Sequence, residues 1–138
     1  MKLGYVGLGS MGAALAGRLA RTHEIDVFNR SPAPIARLEA IGAKGLSSAK
    51  AVGEANEVAF ICVQTSDQVR AAIFGETGIA AGMKPGGMIV DQTTGDAIKT
   101  QQMAEELAER GIDLIDAPVS GGPQAAEAGT IALMVGGS

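Results

Sequence analysis

Three glycines at positions 7, 9 and 12, in the run Gly7-Leu8-Gly9-Ser10-Met11-Gly12, stand directly after the apolar stretch Leu3 to Val6 and directly before a helix-forming segment. Each has a physical job. Gly7 suits a tight turn, Gly9 lets the backbone approach a ligand closely, and Gly12 lets the helix sit against the preceding strand. The helix start that follows offers unpaired N–H groups and the positive end of a dipole, which together suit a pyrophosphate. Strand, turn and helix in this order are what a dinucleotide site requires. A turn that binds nothing would leave Gly9 without a purpose.

Asn29-Arg30-Ser31 closes the second apolar run, Ile25 to Phe28. It lies roughly 20 residues beyond the glycines, where an NAD binder places Asp or Glu to hold the ribose 2′-hydroxyl. A carboxylate there would repel a 2′-phosphate. Asn29 removes that charge, Arg30 suits the phosphate and the adenine face, and Ser31 can donate a hydrogen bond. These residues point to NADP in preference to NAD. The competing reading gives Ser31 only the capping of a helix before Pro32 and leaves Arg30 a solvated charge.

Val63-Gln64-Thr65 and Asp91-Gln92-Thr93-Thr94 follow two further apolar runs. Their hydroxyls and amides suit a ribose or a nicotinamide, and serve equally well as turns capped locally by Thr or Asp. Spacing leaves both readings open. Cys62, the only cysteine, reads as a small buried hydrophobe with no nearby group to activate it. His23 reads as a turn residue, and no cluster of side chains has metal-ligand spacing.

Short apolar runs alternating with helical patterns imply βαβ units and a parallel sheet. Strands are expected over Leu3 to Val6, Ile25 to Phe28, Lys44 to Leu46, Val58 to Val63, Met88 to Asp91, Ile112 to Asp116 and Ile131 to Val135. One helix carries Met11, Leu15 and Leu19 on a slim apolar stripe. A second begins at Ser31-Pro32, turns Ile35, Leu38 and Ile41 inward and ends near Gly42. A third runs from Ala97 to Arg110, capped by Asp96, packed through Ala97, Met103, Ala104 and Leu107, and stopped by Gly111. Between them, Gly75, Gly78, Gly82 and Lys84-Pro85-Gly86-Gly87 break up the middle of the chain. The 20 glycines exceed the roughly 7% average, and most are expected where strands give way to loops.

The chain has 138 residues, 46% of them hydrophobic, which fits one domain with a real core. Its net charge of −4 carries no basic stripe, so nucleic acid is not an expected partner. No apolar run approaches the roughly 20 residues that cross a bilayer. Without a membrane segment or signal peptide, the expected location is cytoplasmic.

Asp116-Ala117-Pro118-Val119-Ser120-Gly121-Gly122, taken with Gly129-Thr130-Ile131-Ala132-Leu133-Met134-Val135-Gly136-Gly137, closely resembles the substrate-binding signature of the β-hydroxyacid dehydrogenases. That family includes 3-hydroxyisobutyrate dehydrogenase, tartronate semialdehyde reductase and 6-phosphogluconate dehydrogenase. The glycine run and Asp91-Gln92-Thr93-Thr94 match the same family in the same order, so the resemblance covers essentially the whole chain. It implies that Gly7, Leu8, Gly9, Ser10, Met11 and Gly12 hold the pyrophosphate and that Asn29, Arg30 and Ser31 hold the ribose phosphate. Val63, Gln64 and Thr65 then fall on the nicotinamide side, with Thr93 near the reacting ring. Ser120, Gly121 and Gly122 would meet the substrate carboxylate, and a Ser-Gly-Gly turn does expose several N–H donors in one concavity.

Two departures stand out. Many members have Leu-Pro where this chain has Val63-Gln64. The family's catalytic lysine lies in a downstream glycine-rich segment, and Lys2, Lys44, Lys50, Lys84 and Lys99 match no such motif. The expectation is therefore an α/β, Rossmann-like, doubly wound and mainly parallel domain over residues 1–138, without the family's helical C-terminal domain and without its own catalytic residue. The full-length protein would transfer a hydride between NADP(H) and a small β-hydroxyacid or semialdehyde, as a homo-oligomer acting on a small carboxylate. The alternatives are the cofactor domain of an imine reductase, a non-catalytic NADP-binding module, and 6-phosphogluconate dehydrogenase itself.

Overall fold

A computed structural model describes residues 2–120, 132–133 and 136–137. Six parallel strands form its centre: β1 (Lys2–Val6), β2 (Glu24–Phe28), β3 (Lys44–Gly45), β4 (Val58–Ile61), β5 (Met88–Asp91) and β6 (Asp113–Asp116). Two short strands, β7 (Val119–Ser120) and β8 (Ala132–Leu133), pair with each other, and β9 (Gly136–Gly137) pairs antiparallel with β6. The large sheet runs β3-β2-β1-β4-β5-β6-β9. Strand order reverses between β1 and β4, which opens a crevice at their carboxyl ends.

The helices are α1 (Ser10–Leu19), α2 (Pro32–Glu39), α3 (Ala49–Ala55), α4 (Ser66–Phe74), α5 (Ile79–Gly82) and α6 (Ala97–Ala108). They cover both faces of the sheet because side chains alternate along each strand. Tyr5 joins Leu8, Leu15, Ile25, Val27 and Leu38 under α1 and α2. Its neighbour Val6 turns the other way, into a core with Val52, Ile61, Ile73, Ile89, Met103 and Leu107. This is the expected Rossmann-like, doubly wound, mainly parallel fold. Among the described residues, no helix is long and apolar enough to cross a membrane.

Several local expectations need correction. The fourth strand stops at Ile61 instead of Val63, because the Val63 N–H leaves the ladder for the Thr93 hydroxyl oxygen at 3.0 Å. α3 and α4 precede the glycines expected to break up the middle of the chain, and α5 forms among them. Ser48 and Thr65 cap the first two of these, accepting the N–H of Ala51 and Gln68. Gly53 and Gly82 sit inside helices, where an added Cβ would strike the Ile79 and Lys50 carbonyls respectively. Glycine here permits close contact between α3 and α5, so the glycine excess is only partly a matter of loops.

Ile41 lies past the end of α2 and is 57% exposed instead of buried. On α6 the inward positions are Thr100, Met103 and Leu107, and Ala97 is exposed. Asp96 does cap that helix, accepting from Ile98 and Lys99 N–H, and Gly111 follows it at φ +73°. The expected strand from Ile131 to Val135 is described only at Ala132–Leu133; Ile131, Met134 and Val135 lie outside the described residues.

Candidate cofactor site at the carboxyl ends of the strands

Gly7 leaves β1 at φ +94°, a left-handed backbone that side chains disfavour. A Cβ there would also strike the Cys62 carbonyl, and a Cβ on Gly12 would strike the Gly7 carbonyl. Both glycines are thus fixed by contact of the turn with β4 and of α1 with the turn. Gly9 differs from them. It is the N-cap of α1, and a Cβ there would meet nothing within 4 Å, so open space faces the start of a helix. The Gly9 carbonyl accepts the Ala13 N–H at 2.8 Å, which leaves the preceding N–H groups of Ser10, Met11 and Gly12 as the orphan donors of the first turn. Such a cradle fits a pyrophosphate.

Asn29 is committed to the protein itself. Its Oδ1 accepts the Leu8 N–H at 2.9 Å, and its Nδ2 donates to the Ser31 carbonyl at 3.1 Å. Leu8, only 1% exposed, therefore anchors the loop in the core through its side chain and to β2 through its backbone. Ser31 is the N-cap of α2, yet its side chain makes no capping bond. The local sequence explains this. Pro32 and Pro34 occupy the first and third helical positions and have no N–H, so the usual third-position donor is missing. The Ser31 hydroxyl and the Arg30 guanidinium both sit exposed at the end of β2.

The rims of β4 and β5 are tied together by side chains. Thr93 is 3% exposed; its N–H donates to Asp91 Oδ1 at 2.9 Å, and its hydroxyl oxygen accepts the Val63 N–H. The Gln64 N–H donates to Gln68 Oε1 at 2.9 Å, while the Thr65 hydroxyl caps α4. The local-capping reading of Thr65 and of Asp91 thus describes bonds that are present. Ser120 lies in β7, its backbone paired with Ala132, while Gly121 and Gly122 lie outside the described residues.

Two features of this rim were missed in the sequence. Tyr5, fully buried, donates its hydroxyl to Gln92 Oε1 at 2.6 Å and stacks on Phe60 at 5.8 Å between ring centroids. A phenol inside an apolar run signals that a buried partner must exist. Asp91 and Asp116 are register partners in β5 and β6. Burial pushes the Asp91 carboxyl up to about 6, opposed by hydrogen bonds from the Thr93 N–H and hydroxyl and reinforced by the charge of Asp116. Burial also raises Asp116. Cys62 is buried and pushed up to about 11 by burial and then by Asp91, which keeps it a thiol. His23 lies in the bend before β2, at the opposite end of the sheet, with Nδ1 buried and unpartnered among the described residues.

Comparison with known proteins follows this geometry. Residues 2–138 match the family model described as the NAD binding domain of 6-phosphogluconate dehydrogenase. The chain is 41% identical over 138 residues to 2-hydroxy-3-oxopropionate reductase of Escherichia coli (strain K12), covering 99% of this chain and 47% of that protein. It is 33% identical to 3-hydroxyisobutyrate dehydrogenase of Pseudomonas aeruginosa, covering 98% and 46%. A solved structure of Psf3 in complex with NADP+ and 2-OPP superposes with a TM-score of 0.93 at 31% identity, over 99% of this chain and 49% of that one. The chain thus spans about half the length of the curated relatives it matches. With a positive-φ glycine leaving β1, an open helix start at Gly9 and a family match running from residue 2 to residue 138, the chain belongs to the family of the NAD binding domain of 6-phosphogluconate dehydrogenase.

Proposed function

We propose that residues 1–138 form the NADP(H)-binding domain of an oxidoreductase acting on a small β-hydroxyacid or semialdehyde. The observation that carries the NADP preference is the end of β2. No carboxylate stands there, Asn29 is occupied in bracing the glycine turn, and the Ser31 hydroxyl is left uncapped beside an exposed Arg30. A hydroxyl and a guanidinium at that position suit a 2′-phosphate, which a carboxylate would repel. The Psf3 complex with NADP+ supports the same choice by likeness.

When bound, the nicotinamide cofactor supplies hydride transfer. The chain's own residues bind and orient it. Gly9, Ser10, Met11 and Gly12 present the start of α1 to the pyrophosphate, with Gly7 setting the turn and Leu8 anchoring it. Val63, Gln64, Thr65 and Thr93 form the rim on the nicotinamide side. Ser120, Gly121 and Gly122 take the substrate carboxylate. The acid/base group is assigned to the part of the relatives that this chain does not span. Of the lysines here, Lys2 pairs with Asp26 at 3.2 Å and Lys99 with Asp67 at 3.1 Å. These 138 residues alone therefore bind cofactor without measurable turnover. We read the whole protein as a cytoplasmic homo-oligomer, with the names of the curated relatives supporting the substrate class.

Isothermal titration with NADPH and NADH tests the assignment. Tighter NADPH binding is expected, and equal or tighter NADH binding would overturn the NADP preference. Dehydrogenase turnover by the 138 residues alone would overturn the assignment of the acid/base group.

A further inference from the structure

The Val63 N–H is the first at the end of β4 that the sheet does not use: the Cys62 N–H still bonds the Val6 carbonyl at 3.0 Å, whereas Val63 turns to Thr93. Thr93 cannot choose its orientation freely. Its own N–H is held by Asp91 Oδ1, and Asp91 is the last residue of β5 and 2% exposed. An ionised carboxylate only accepts hydrogen bonds. Thr93 is thus held from two sides, its N–H by Asp91 Oδ1 and its hydroxyl oxygen by the Val63 N–H. No cation pairs with Asp91 among the salt bridges of the described residues. A buried carboxylate costs stability, and its hydrogen bonds here go to Thr93, the residue that joins the two rims.

We propose that Asp91 is a positioning residue for the nicotinamide half of the cofactor, acting through Thr93 on the backbone at Val63. The proposal rests on the cofactor reading above. Asp91 touches neither cofactor nor substrate. It fixes the spacing between the ends of β4 and β5, and hence the rim against which the nicotinamide lies. The adenosine half is held elsewhere, by the end of β2 and the start of α1, so the two halves are separable by experiment.

The test compares NADPH with 2′,5′-ADP, which carries the adenosine half alone, by titration of the intact protein. Asp91→Ala should weaken NADPH by about tenfold, as expected for one lost charge-assisted bond, and leave 2′,5′-ADP within about twofold. Asp91→Asn, which keeps an acceptor for the Thr93 N–H, should fall between wild type and Asp91→Ala. Equal weakening of both ligands, or of neither, would overturn the proposal. Failure of the wild-type protein to bind either ligand would overturn the cofactor reading instead. Should Asp91→Ala not fold, Thr93→Ser and Thr93→Val read the same relay. Serine should retain NADPH affinity and valine lose it selectively, and equal behaviour of the two would overturn the proposal.

Discussion

Asn29 Oδ1 accepts the Leu8 N–H at 2.9 Å, which ties the end of β2 to the glycine turn after β1. Asn29→Asp keeps that acceptor and adds a negative charge. The variant should fold, lose NADPH affinity by about tenfold or more, and hold NADH as well or better. Parallel titrations with the two cofactors check it; an unchanged ratio would count against the 2′-phosphate assignment.

Ser31→Ala separates binding from stability. Loss of an N-cap hydroxyl usually costs about 1 kcal/mol. Because Pro32 and Pro34 leave Ser31 without a capping bond, the melting temperature should stay unchanged. NADPH affinity should nonetheless fall several-fold with NADH affinity constant, and Arg30→Ala should show the same pattern more strongly.

Alanine at the three turn glycines should give opposite signatures. Gly7→Ala forces a side chain onto φ +94° and into the Cys62 carbonyl, at a cost of about 2 kcal/mol or more. Gly12→Ala meets the Gly7 carbonyl and should destabilise similarly. Gly9→Ala meets open space, so stability should hold while cofactor binding is lost. Denaturant unfolding run beside cofactor titration distinguishes the three.

Asp91 makes stability depend on pH. Its carboxyl sits at about 6 in the folded chain, first because of burial, and near 3.9 when unfolded. The folded state therefore holds the proton more tightly, and the stability this gives is full in acid and lost as pH rises through 6. From about pH 7 to about pH 5, wild type should gain about 1 kcal/mol relative to Asp91→Asn. Urea midpoints of the two proteins at both pH values measure the difference, and parallel curves would refute it.

Tyr5→Phe leaves Gln92 Oε1 buried without its donor and should cost about 1–3 kcal/mol. Adding Gln92→Leu removes the orphaned acceptor and should recover part of that loss. A double-mutant cycle reads the coupling directly.

The parts of this fold legible in the sequence are those encoded locally. Gly7 and Gly12 declare their turn because each answers a contact within a few residues or in the adjacent strand, and Asp96 announces α6 because its cap takes the N–H groups two and three residues on. The middle of the chain was obscured by glycines with a second use. Gly82 reads as a breaker, yet with Gly53 it lets two helices touch. Side-chain pairing at long range was beyond reach for another reason. Tyr5 and Gln92 lie 87 residues apart, and nothing near either names its partner. The bracing role of Asn29 was not legible, because its partner at Leu8 appears only once β1 and β2 lie side by side.

The order of the large sheet places its two shortest strands at its margins: β3, with Lys44 and Gly45, on one side and β9 on the other, each two residues long. Long unpaired strand margins act as templates for another chain, and very short ones blunt that tendency. The apolar strands β1, β4 and β5 are paired on both sides. Among the described residues, the margins of this sheet therefore offer a foreign strand little backbone to extend.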